Sequence, residues 1–247
     1  MRYSLNGRIV ADDDAPVLRW WGLSAVCPAD IRQAIAENPA DEEFTLEINS
    51  PGGSVFAGFE MYSVLRRASR DGVRIRAEVQ SLAGSAASVA MVGADTVACS
   101  PVAQVMIHLP LTVTEGNQNV HRESVQMLES ITESIIAGYE RKVANKTSPA
   151  ALRRLMDRET FLSARTALDA GLVDEIIEEP QSGEPVDPAN IYNAVGALPD
   201  MDKLRAAYNA AKSQSQEPEP QPPVSNLNTA RKRAIAIAEA ELRAVVV

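Results

Sequence analysis

The stretch Gly84-Ser85-Ala86-Ala87-Ser88-Val89-Ala90 carries the residue types best suited to acyl chemistry. It follows the alternating run Val73–Gln80, which has the period of a β-strand, and leads into the short apolar run Ser88–Val92, which reads as a buried helix. A chain that turns from strand to helix presents unpaired backbone N–H groups and the positive end of the helix dipole. A serine hydroxyl at such a turn can attack a carbonyl, because the adjacent N–H groups can hold the oxyanion that forms. The competing reading is steric, since Gly, Ser and Ala also let a helix pack closely on a sheet. Two further places have chemical potential. Ser50-Pro51-Gly52-Gly53-Ser54 follows the strand Phe44–Asn49 and offers unhindered backbone amides to an anion or oxyanion, although as a plain turn it needs no ligand. His108 ends the strand Gln104–His108 just before Leu109-Pro110, and an imidazole there serves either as a base or as a hydrogen-bonded structural group.

The elements that must position these residues follow from periodicity. Tyr3–Val10 reads as an opening strand and Val17–Trp21 as a second, with the acidic Asp12-Asp13-Asp14 as an exposed turn between them. Pro28–Glu37 reads as the first helix and Val55–Arg67 as an amphipathic second. Thr96–Cys99 is a short strand, and Val120–Asn145 is a long helix whose apolar stripe suits a neighbouring subunit. Ser148-Pro149 starts a shorter helix through Met156. Ala164–Ala170 is another, closed by Gly171, and Leu172–Ile177 is a last strand. Beyond Glu178 the composition turns to Pro, Glu, Gln and Ser. Residues 1–178 are therefore expected to form one domain, and 179–247 a flexible extension with a short C-terminal helix.

Composition narrows the function. The 247 residues are 45% hydrophobic and 23% charged, ordinary for a globular protein, and the net charge of −9 argues against nucleic acid or an anionic membrane surface as partner. Two cysteines, Cys27 and Cys99, and two histidines suggest neither a disulfide framework nor a metal site. There is no run of about 20 apolar residues and no signal-peptide core, so a cytoplasmic location is expected.

Three stretches recur at strand ends in one order: Asn49-Ser50-Pro51-Gly52-Gly53-Ser54-Val55, Gly84-Ser85-Ala86-Ala87-Ser88 and Val105-Met106-Ile107-His108-Leu109-Pro110. Phe161-Leu162-Ser163-Ala164, with Gly171-Leu172-Val173-Asp174 after it, completes the set. Together they resemble the Clp serine peptidase family from about residue 3 to about residue 178. The resemblance implies an α/β fold, a spiral of repeated β-β-α units shared with crotonases, with the long helix as the oligomerisation handle of a ring-forming homo-oligomer. It implies Ser88 as nucleophile, His108 as general base, and the backbone N–H groups of Gly53 and Val89 as the oxyanion hole. Gapless alignment puts Glu159 in the place of the usual acidic member, with Asp157 as the alternative. It implies no metal and no organic cofactor, and protein or peptide substrates.

The separation of 20 residues between Ser88 and His108, the triplet Glu159-Thr160-Phe161 and the Pro-rich extension resemble the Clp-like branch of tailed phages and prophages. That branch consists of head maturation (prohead) proteases, which cleave scaffold and capsid proteins inside an immature shell without ATP and can process themselves. A general proteolytic subunit, or an inactive assembly scaffold on the same fold, is the alternative. A Ser–Lys peptidase would need a lysine beside Ser88, yet the first lysine in the chain is Lys142. A crotonase-type acyl-CoA enzyme would leave Ser88 and His108 without required roles.

Overall fold

The computed structural model describes residues 1–20, 22–39 and 42–177. Its centre is a pair of ten-residue parallel strands, β3 (Phe44–Gly53) and β4 (Ile75–Gly84). Over their first halves both alternate: Phe44, Leu46, Ile48, Ile75, Ala77 and Val79 are buried on one face, while Glu47, Arg76 and Glu78 form ion pairs on the other. β1 (Arg2–Ile9) pairs with β3, and the two-residue β2 (Ala25–Val26) pairs with β1 at the edge. On the other side β4 forks. Residues 76–79 pair with β5 (Thr96–Cys99), and residues 82–84 pair with β6 (Gln104–Ile107). β5 carries the short β8 (Glu175–Ile176), and β6 carries β7 (Thr160–Ser163), the one antiparallel partner among the described strands.

Among the described residues, seven helices complete the α/β architecture: α1 (Asp14–Trp20), α2 (Pro28–Ala36), α3 (Val55–Arg70), α4 (Ala86–Met91), α5 (Gln118–Val143), α6 (Pro149–Asp157) and α7 (Ala164–Ala170). Their ends follow local chemistry. Ser54, Ser148 and Ser163 each accept a backbone N–H at an N-cap, Pro28 and Pro149 occupy first helical positions, and Gly171 closes α7 at φ 83°. Leu5, Leu46, Ile48, Met61, Leu65 and Met91 are fully buried between the layers, and each such side chain contributes about 1.5–3 kcal/mol.

Two elements differ from their sequence reading. Val17–Trp21 is not a second strand, because residues 14–20 form α1. Asp14 occupies its first turn, and Arg19 in its last turn donates to the Ala25 carbonyl at 3.1 and 2.9 Å and pairs with Asp30. Val17 and Trp20, three residues apart on that helix, are exposed, so their apolar character marks no core-facing strand. The last strand is also shorter than its apolar run. The N–H groups of Leu172 and Val173 turn back to the Ala167 carbonyl at the end of α7, leaving only Glu175–Ile176 to pair. The extension expected over 179–247 lies outside the described residues.

Candidate active site

The fork of β4 brings the chemical residues together. Gly84 pairs with Met106, the Ser85 N–H donates to the Met106 carbonyl at 2.8 Å, and His108 follows two residues after Met106. Three backbone rungs therefore fix the end of β4 against the end of β6, and the side chains that leave those ends face each other. His108 Nε2 lies 2.8 Å from the Ser85 hydroxyl, and both residues are half-buried at the wall of one cleft.

This corrects the position read from the sequence. The hydroxyl that meets His108 belongs to Ser85, not Ser88. Ser88 lies one helical turn further on, inside α4, and is fully buried. Its hydroxyl is 2.6 Å from the Ser85 carbonyl and 2.7 Å from the Tyr139 hydroxyl, both on the core side. Ser85 is the N-cap of α4, with φ 51° and ψ −122°, a conformation a non-glycine residue adopts at a cost of about 1–3 kcal/mol. A sharp, strained strand-to-helix turn with an exposed serine hydroxyl is the arrangement of a nucleophile elbow. The sequence held a signal for this. A serine directly after the strand stands at the turn, where its hydroxyl is free to face the neighbouring strand end, while a serine inside a buried helix bonds back to a carbonyl one turn earlier.

The backbone N–H groups around the elbow differ in what they are bonded to. The Val89 N–H is committed to the Ser85 carbonyl at 3.3 Å. The Ala86 N–H, at the first position of α4, has no acceptor within its helix, and Ala86 lines the cleft. Gly53 stays where the sequence placed it, exposed at the end of β3 on the same cleft. Close packing explains the two glycines. A side chain on Gly53, at φ 150°, would strike the Ile9 carbonyl; one on Gly52, at φ 94°, would lie 2.5 Å from the Gly84 carbonyl and 2.8 Å from the Ala86 nitrogen. The Gly-Gly step thus lies directly against the elbow.

Neither acidic candidate is hydrogen-bonded to His108 among the described residues. Asp157 is exposed and paired with Arg153 at 3.2 Å. Glu159 is exposed, and its φ of 48° is left-handed. The β6–β7 register nonetheless separates the two. Ile107 faces Thr160, so one step past the last rung His108 is opposite Glu159, whereas Asp157 is two steps beyond that. The Leu109 N–H donates to the Met156 carbonyl at 3.2 Å, which keeps the end of α6 beside the histidine.

The cleft has a volume of about 450 Å³. Beyond the reactive groups it is walled by Val89, Met127, Leu128, Ile131 and Ile135, the last four from α5, and no carboxylate, lysine or arginine lines it among the described residues. Of the two described lysines, Lys142 donates to the Asp95 carbonyl at 3.2 Å and pairs with Asp174, and the Lys146 side chain lies beside Gly171. Among the described residues, no lysine stands at the elbow.

The family model for Clp protease matches residues 32–180, which takes in the Gly-Gly loop, the serine elbow, His108 and the acidic segment before β7. A serine–imidazole pair at the ends of adjacent parallel strands, on that fold and within that match, leads to one assignment: the chain belongs to the Clp protease family, whose members are serine peptidases acting on proteins.

Proposed function

We propose that this protein is a serine endopeptidase in which Ser85 is the nucleophile, His108 the general base, Glu159 the carboxylate that orients the imidazole, and the N–H groups of Ala86 and Gly53 the oxyanion hole. The observation that carries this reading is the 2.8 Å contact between Ser85 Oγ and His108 Nε2 at a strained elbow. As Ser85 attacks the scissile carbonyl, His108 takes its proton at Nε2 and the oxygen gains charge toward the two amides. His108 then returns the proton to the leaving amine, and water releases the acyl group by the same route. The apolar wall contributed by α5 favours an uncharged, apolar residue on the acyl side of the cut.

A fluorophosphonate probe tests the assignment. Ser85→Ala should lose all labelling, and Ser88→Ala, if folded, should keep it. Labelling that survives Ser85→Ala but not Ser88→Ala would return the nucleophile to Ser88.

The finer biological role, phage head maturation with cleavage of scaffold and capsid proteins inside a prohead, is supported by Glu159-Thr160-Phe161 and the Pro-rich extension. The short Ser–His spacing supports it less, since it grows to 23 residues once Ser85 is the nucleophile. ATP-independent action and self-processing within 179–247 belong to the same reading. Co-expression with a scaffold protein, followed by mass spectrometry of both chains, should show cuts with wild type and none with Ser85→Ala. Homo-oligomerisation through α5 is supported by Val120, Val125 and Met127, which are exposed along it, beside exposed Leu111 and Val113.

A further inference from the structure

Behind the elbow lies a buried two-hydroxyl chain that the peptidase mechanism leaves without a task. The Ser85 carbonyl accepts from the Ser88 N–H at 2.9 Å, from the Val89 N–H at 3.3 Å, and from the Ser88 hydroxyl at 2.6 Å. A carbonyl cannot donate, so the Ser88 hydrogen is committed to it. The Tyr139 hydroxyl, 2.7 Å from Ser88 Oγ, must then be the donor in that contact, and the chain runs in one direction, Tyr139 to Ser88 to the Ser85 carbonyl. Tyr139 is 1% exposed, comes from α5, and is kept protonated by burial, which pushes its phenol well above the ordinary range.

The peptide that ends this chain is the one joining Ser85 to Ala86. A trans peptide is planar, with its C=O and N–H pointing in opposite directions. Gripping the Ser85 carbonyl on the core side therefore aims the Ala86 N–H into the cleft. Donation into the carbonyl also polarises the amide and makes that N–H a stronger donor, because linked hydrogen bonds reinforce one another in a low-dielectric interior. We infer that Tyr139 and Ser88 are positioning residues for oxyanion stabilisation, acting through the Ser85–Ala86 peptide. The inference rests on the reading of Ser85 as nucleophile and Ala86 as oxyanion donor. Tyr139 also lines the cleft, but its hydroxyl is committed to Ser88, and through this chain both side chains act on the amide.

The experiment compares wild type, Tyr139→Phe, Ser88→Ala, Ser88→Thr, the Tyr139→Phe/Ser88→Ala pair and Ser85→Ala. Steady-state cleavage of a peptide with an apolar acyl-side residue is measured, together with affinity for a peptide boronate, which forms a tetrahedral adduct, and for the product carboxylate. Tyr139→Phe should lower kcat roughly three- to tenfold, the size of one hydrogen bond, with KM nearly unchanged. Boronate affinity should fall in parallel, and product affinity should hold. Ser88→Ala should cost more, Ser88→Thr should restore part of the loss, and Tyr139→Phe should add nothing once Ser88 is Ala. If Ser88→Ala does not fold, Tyr139→Phe and Ser88→Thr carry the comparison. Wild-type boronate affinity and kcat in folded Tyr139→Phe, or losses confined to thermal stability, would overturn the inference. Full activity in Ser85→Ala would instead overturn the reading beneath it.

Discussion

Ser85 Oγ and His108 Nε2 lie 2.8 Å apart at two strand ends that the backbone aligns. The rungs Leu82–Gln104, Ala83–Val105 and Gly84–Met106, and the bond from Ser85 N–H to the Met106 carbonyl, place the two residues side by side independently of the imidazole. Replacing His108 should therefore remove the base without moving the elbow. His108→Ala is expected to lower kcat between about 10²- and 10⁴-fold with an unchanged circular dichroism spectrum. Turnover near that of wild type would show that the imidazole is structural.

The antiparallel register makes the acidic assignment testable. Glu159→Ala is expected to lower kcat roughly ten- to hundredfold, as the imidazole loses the group that fixes its tautomer. Asp157→Ala only frees Arg153 on an exposed face, so less than about a twofold change is expected. Separate peptide-cleavage assays decide it; a larger loss in Asp157→Ala would reverse the order, and two small losses would define a dyad.

Gly52 offers a test of how tightly the elbow is built. An added methyl would meet backbone atoms at 2.5 and 2.8 Å and force a left-handed φ on a non-glycine residue. Gly52→Ala is expected to cost roughly 2–4 kcal/mol in urea unfolding and to lower activity in the molecules that still fold. An unchanged midpoint with full activity would mean that the loop can move away from Gly84 at no cost.

The cleft wall gives a substrate prediction. Peptides with Leu or Met on the acyl side of the cut should be cleaved with kcat/KM at least about tenfold above those with Asp or Lys there, since a charge in that wall would be desolvated without a partner. Substituting Ile135 with Asp should weaken the preference for Leu. Equal rates across the series would place the acyl-side residue elsewhere.

Acid sensitivity should follow Glu78. Burial works against its charge, but the Arg76 guanidinium at 2.8 Å and Arg2 at 2.8 Å outweigh that and hold the carboxyl below its usual range. A depressed folded-state value means that the stabilisation is complete above the unfolded value, about 4.3, and is lost as pH falls through the folded one. Glu78→Gln is therefore expected to lower stability at pH 7 and to flatten its decline below about pH 5. Parallel urea midpoints for the two proteins between pH 7 and 3 would rule this out.

Much of the architecture was readable because its signals are local. Ser148-Pro149 and Gly171 cap their helices as their chemistry dictates, and the helical spacing of Ile131, Ile135 and Tyr139 was legible, although these three pack on the chain's own core and not on a neighbouring subunit. Ser85, which faces His108, was passed over for Ser88 because the two are chemically identical, three residues apart and separated only by alanines. Backbone dihedrals and depth distinguish them, and neither is written in residue type. Tyr139 looked like one more apolar stripe residue, since the depth of its hydroxyl depends on where α5 crosses α4. β2, with two residues, is too short for periodicity to announce, β7 hides its period because exposed Phe161 and buried Leu162 are both apolar, and α1 was hidden by β-favouring side chains that face outward.

The forked strand has a consequence for tolerance to change. Because β4 serves β5 with one part of its length and β6 with another, the segment between those two partners, Ser100–Ala103, spans a branch in the ladder without setting the catalytic spacing. Insertions or deletions there alter the path into β6 but leave its pairing with residues 82–84 free to re-form. The count of residues separating serine from histidine can thus drift between related chains while the two atoms keep their distance.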